Sequence, residues 1–130
     1  MQEKFDLVKS YIENLGYTIT SSDDVNHLLV VNNEEKGISN LIVDCEDPIV
    51  IFEQFIGEIK EESIEKYREL LRINRELVAG AFVLDGQKNR LFFKNTLELS
   101  NLDENEVEGT LNALNLTMAE YGDTLINICK

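Results

Sequence analysis

Three apolar runs stand close together in this chain, at residues 27–31 (HLLVV), 38–43 (ISNLIV) and 48–52 (PIVIF, extending toward Ile56). Between them lie turn-forming residues, with Asn32, Asn33 and Gly37 in the first gap and residues 45–48 in the second. Runs and gaps this short read most economically as consecutive antiparallel strands. Pro48 belongs at a strand start, where its missing N–H costs little.

Around these strands the apolar spacing becomes helical. In residues 3–15, Phe5, Val8, Tyr11, Ile12 and Leu15 recur at three- and four-residue intervals, and Gly16 stands where a left-handed cap is expected. Residues 62–77 return to a helical period, and AFVLDGQKNRLFF then reads as a hairpin whose turn lies within residues 85–89. Asp103 is the N-cap of a last helix, with Glu106 completing a capping box and Leu102 and Val107 forming a hydrophobic staple. Its buried stripe should be Val107, Leu111, Leu114, Met118, Tyr121 and Leu125. The expected order is α-β-β-β-α-β-β-α, a single α+β domain over residues 1–130 built on an antiparallel β-sheet with helices.

The second helix has more apolar surface than one sheet can cover. At about 100° per residue, Ile64, Tyr67, Leu71 and Asn74 share one side, while Leu70, Ile73 and Leu77 lie a quarter turn or more away. The surplus points to a second surface, supplied either by another helix of the chain or by another copy of it. The strands repeat the signal: Ile49 and Ile51 point one way, Val50 and Phe52 the other. An antiparallel sheet with one wet face would alternate apolar with polar, so part of the second face should be covered by a helix, a subunit or a client peptide. Leu29, Val31 and Ile42 are the candidate contact residues on the sheet, their facing being set by strand register.

Composition narrows the partners. The chain carries 25 acidic and 12 basic residues, a formal charge of -13, which repels phosphate backbones and anionic membranes. No nucleic-acid or membrane partner is expected. Charges interrupt every turn of the N-terminal segment, and nothing approaches the roughly 20 apolar residues of a membrane span, so the expectation is a cytoplasmic protein. Cys45 and Cys129 lack metal or redox spacing and read as buried or free thiols. His27, the only histidine, reads as a partly buried or strand-end residue rather than a catalytic base. The acidic pairs Asp23-Asp24, Glu34-Glu35 and Glu61-Glu62 read as solvated charge, and no glycine-rich phosphate loop is present. The expectation is a protein that is not an enzyme, with no cofactor and no metal.

The succession Leu70-Leu71-x-x-Asn74-x-x-Leu77, Gly80-x-Phe82-x-Leu84-Asp85 and Leu91-x-Phe93-x-x-x-Leu97-x-Leu99-x-x-Leu102-Asp103 resembles the C-terminal half of the class I type III secretion chaperones, the Tir chaperone family. It is also similar to the related YbjN-like proteins. The motifs cover residues 60–125, and over the first half element order and size agree. One departure is Glu98, where many members place a proline between the two leucines before the last helix, and it keeps the YbjN-like branch open.

The resemblance implies a homodimer that binds a protein client, such as a secreted effector, in extended form across apolar patches on the first helix and sheet edges, without nucleotide hydrolysis. It implies a dimer interface on the second helix and the strand after it: Ile64, Tyr67 and Leu71 with the outward Ala81 and Val83. Asn74 would cap helix carbonyls or bridge the two copies. Client capture would be strand addition, with main-chain hydrogen bonds to a sheet edge and shallow apolar pockets selecting side chains. Two other readings stand beside it: a YbjN-like regulatory or adaptor protein with a folded partner, and an acidic immunity or inhibitor protein matched to a basic toxin.

Overall fold

The computed structural model describes residues 1–130. Its elements are α1 (Gln2–Asn14), β1 (Thr18–Asp23), β2 (Leu28–Asn33), a 3-10 turn (Glu34–Lys36), β3 (Ile38–Glu46), β4 (Ile49–Glu58), α2 (Ile64–Glu76), β5 (Ala81–Leu84), β6 (Arg90–Glu98) and α3 (Glu104–Cys129). The strands form one six-stranded sheet in the order β1-β2-β3-β4-β6-β5, with every pair antiparallel. The fold is α+β, as the sequence predicts, with one strand more than expected. That strand, β1, contributes a single half-buried apolar side chain, Ile19, and otherwise reads as polar turn sequence. It lies at the sheet edge and is held by pairing with β2, with a bulge between Ile19 and Ser21.

The helix ends follow the local chemistry. α1 closes in a Schellman motif: Gly16 has φ +87°, its N–H bonds Glu13 O at 3.0 Å, and Tyr17 N–H bonds Ile12 O at 3.3 Å. α3 opens with the capping box, in which Glu106 N–H donates to Asp103 at 2.9 Å and Asp103 N–H donates to Glu106 at 3.3 Å. Leu102 and Val107, on either side of the cap, are both buried in the core.

α1 and α3 cover one face of the sheet. Phe5, Val8 and Ile12 from α1 and Val107, Leu111, Leu114 and Leu125 from α3 share one core with Leu29, Val31, Leu41, Val43, Val50, Phe52, Leu91 and Phe93. Of the stripe expected on α3, Met118 and Tyr121 are only half-buried. Gln54 is the polar exception on the covered side. Its amide donates to Gly37 O at 3.0 Å and accepts from Ser39 N–H at 2.9 Å, so its burial leaves no polar atom unpaired. α2 packs beside β5 at the far edge and sends Leu70 and Ile73 into the same core. No helix is long and apolar enough to cross a membrane.

Candidate interaction surfaces

α2 begins at Ser63, whose hydroxyl accepts from Lys66 N–H at 3.2 Å. From there the helix divides into two apolar lines. Leu70 and Ile73 are buried and Leu77 is half-buried, whereas Ile64 and Leu71 are each 69% exposed and Tyr67 is half-buried. The surplus read from the periodicity is therefore present in the folded chain: the inner line satisfies the core, Tyr67 packs partly against it, and Ile64 and Leu71 are left open. Burial, then the adjacent Glu62 carboxylate, pushes the Tyr67 phenol up.

Asn74 corrects the expectation drawn for it. Its side chain does not cap helix carbonyls: its carbonyl accepts from Phe82 N–H at 2.7 Å and its amide donates to Phe82 O at 3.1 Å. A strand paired on the outer edge of β5 would use those same two backbone groups, so Asn74 occupies the edge in place of a neighbour strand. Gly80 makes this approach possible. It has φ +78°, and a methyl group on its Cα would overlap the Phe93 ring. Thus Asn74, Gly80 and Phe82, spaced in the sequence as Asn74 followed by Gly80-x-Phe82, are one device joining α2 to the sheet edge.

Ala81 and Val83 flank Phe82 on the opposite side of β5 and are half-buried. They stand opposite Lys94 and Phe92 of β6, which in turn stand opposite Glu53 and Phe55 of β4. An open face of the sheet therefore runs on from β5. Phe55 is 53% exposed and meets Phe92 edge-on at 5.5 Å, while the Arg90 guanidinium lies 5.9 Å from the Phe92 ring centre. Beside them Ile42, Asp44, Ile51 and Glu53 complete a depression of about 390 Å³. Burial, and then repulsion from Glu46 and Glu53, push the Asp44 carboxyl up.

Of the three candidate contact residues on the sheet, only Ile42 faces this surface, at 38% exposure. Leu29 and Val31 are fully buried, opposite Val43 and Leu41 and beneath the helices, and cannot touch a client while the chain is folded. Register explains the split. Val30 is the residue opposite Ile42, so Leu29 and Val31 necessarily share the other face. The residues that the sequence reading passed over are Phe55 and Phe92. The two-sided apolar character of β4 signals Phe55, and the adjacent phenylalanines of β6 signal Phe92, but their contact depends on a pairing between distant strands.

The remaining reactive side chains have structural surroundings. Cys45 is buried, and burial with a smaller push from Asp44 drives its thiol up to about 12. Burial also raises the Cys129 thiol, against the opposing pull of Lys66 and Lys60. His27 is partly buried, meets the Phe5 ring edge-on at 5.2 Å, and its carbonyl accepts from Cys45 N–H at 3.0 Å.

The CesT_Tir_1 family matches the chain over residues 1–130. No curated protein matches it in sequence. The fold is shared with YbjN from E. coli at a TM-score of 0.71 and 13% identity, covering 92% of both chains. It is shared with the ExoU–SpcU complex of the Pseudomonas aeruginosa type III secretion system at a TM-score of 0.64 and 17% identity, over 92% of this chain and 94% of that one. The Yersinia pestis type III secretion chaperone SycH, in complex with a fragment of YscM2, gives a TM-score of 0.59 at 11% identity, over 96% and 98%.

Proposed function

Because the chain belongs to the CesT_Tir_1 family, we propose that it is a chaperone: a homodimer that holds a segment of a protein client in extended form and hydrolyses no nucleotide. One observation carries the reading. The folded chain leaves Ile64 and Leu71 each 69% exposed on α2, next to β5, when its inner line alone would anchor the helix. Two copies pairing through α2 and the outward side of β5, with Ala81 and Val83, would remove that surface from water. Burying each large aliphatic side chain is worth roughly 1.5–3 kcal/mol.

The solved complexes ExoU–SpcU and SycH with YscM2 support a protein as the client. Holding that client extended keeps its apolar residues from collapsing on one another. Because Asn74 already fills the β5 edge at Phe82, strand addition by a client would use the β1 edge.

Light scattering tests the dimer. Wild-type protein should give twice the 14.9 kDa of one chain, and Leu71→Glu should give one chain with an unchanged far-UV spectrum. A wild-type monomer rejects the homodimer. For the client, calorimetry with the apolar N-terminal segment of a co-purifying protein should give a strongly negative heat-capacity change on binding. A second reading, an adaptor for a folded partner, draws on the similarity to YbjN. It would prevail if the partner bound as a folded domain and lost affinity on unfolding.

A further inference from the structure

The depression on the open sheet face has a chemistry of its own. Glu53 stands opposite Ile42, Asp44 opposite Ile51, and Glu46 opposite Ile49. Neighbouring strands thus present a checkerboard of carboxylates and aliphatic side chains, extended on the β6 side by the Phe55–Phe92 pair. None of the three carboxylates belongs to a salt bridge; the four that form lie elsewhere. Lys94 is opposite Glu53 in register without closing an ion pair. Clustered carboxylates beside apolar floor are under mutual repulsion that an incoming cation relieves.

We propose that this depression receives an extended client segment that presents apolar and cationic side chains by turns on one face. Its apolar side chains seat against Ile42, Ile51 and Phe55, and its lysines or arginines against Asp44 and Glu53. The inference rests on the chain being a holder of extended polypeptide, and it concerns the β3–β4 part of the open face, which adjoins the β5 part assigned to the dimer. Geometry sets the spacing. One face of an extended chain shows every second residue, so an apolar residue at i requires a cation at i+2 and an apolar residue again at i+4. A second copy fits the depression poorly, because a symmetric contact there would set Asp44, Glu46 and Glu53 against the same carboxylates of the other copy. A wholly apolar segment would desolvate the carboxylates without pairing them.

The probe is a labelled peptide, Ile-Ser-Lys-Ser-Ile-Ser-Lys-Ser-Ile, titrated by fluorescence anisotropy at about 0.15 M salt, where long-range attraction is screened. Asp44→Asn with Glu53→Gln should weaken binding about tenfold or more, the loss expected when charge-assisted contacts are removed. Glu34→Gln with Glu35→Gln, which removes equal charge from the exposed 3-10 turn, should change it by about twofold or less. Replacing both lysines of the peptide by glutamate should abolish binding. Equal losses in the two double variants, or no loss in the first, would overturn the proposal. Light scattering on the same proteins separates the claims. A persisting dimer with no site-dependent binding removes this site alone, and a dimer lost only in the Asp44/Glu53 variant would mean that a second copy occupies the face.

Discussion

On the central strands, the two faces of the sheet are both apolar, and only one is covered. Val50 and Phe52 on β4 have no exposed surface, while their neighbours Ile51 and Phe55 on the other side remain open in part or by half. The difference is made by the connections. α1 and α3, at the two ends of the chain, both return to the same side, and α2 comes to rest at the β5 edge instead of crossing the second face. Hydrophobicity made each face suitable for burial; helix placement chose between them. Under the proposed function this open face is available for contacts outside the chain, and its interspersed Asp44, Glu53 and Lys94 keep it compatible with water.

The most direct way to break this comparison is to truncate one aromatic on each side. Phe52→Ala should destabilise the chain by about 3–5 kcal/mol, since a fully buried ring is lost and a cavity remains. Phe55→Ala should cost under about 1 kcal/mol in the absence of client, because half the ring is already in water. Urea unfolding at a fixed protein concentration measures both. Equal losses would mean that the open face is covered in the free protein.

Asn74 lies where the two faces meet the edge, and its replacement sharpens the comparison. Asn74→Ala should cost about 1–3 kcal/mol, leaving the partly buried Phe82 N–H and C=O unpaired. It should also free the β5 edge for pairing, giving concentration-dependent association beyond the dimer that the wild type forms. A variant of unchanged stability and unchanged mass would show that the edge is protected by α2 alone.

Legibility in the sequence followed how local each signal was. The capping box at Asp103 and Glu106 and the αL cap at Gly16 lie within one helical turn, and both formed where the residues predict. β1 escaped notice because its one inward apolar residue, Ile19, cannot establish a period of two. The choice among Leu29, Val31 and Ile42 required knowing where the helices return, which is a non-local property; strand parity guaranteed only that Leu29 and Val31 share a face, and the β2–β3 register parted Ile42 from them. Asn74 was visible as an isolated amide on an otherwise apolar line, yet its partner, Phe82, lies across a turn that depends on Gly80. The Phe55–Phe92 contact depends on β4 pairing with β6 across the intervening helix and hairpin, and no local pattern announces it.

The smallest expected effect tests whether the open face is under electrostatic strain before anything binds. Burial and the carboxylates of Glu46 and Glu53 raise the folded-state pKa of Asp44 above its unfolded value of about 3.9. Between those two values the folded chain keeps a proton that the unfolded chain has released. Its contribution to stability therefore increases as pH falls through the raised pKa, and levels off below the unfolded one. At neutral pH the ionised Asp44 is destabilising, so Asp44→Asn should raise Tm on the order of 2 °C. That gain should shrink as the pH falls through the raised pKa, where the wild-type carboxyl takes up its proton. A gain that persists unchanged in acid would trace to packing instead of charge. Binding of a cationic segment should reverse the order at neutral pH, with the wild type stabilised more than the variant, because the repulsion that weakened the free protein becomes the attraction that holds its partner.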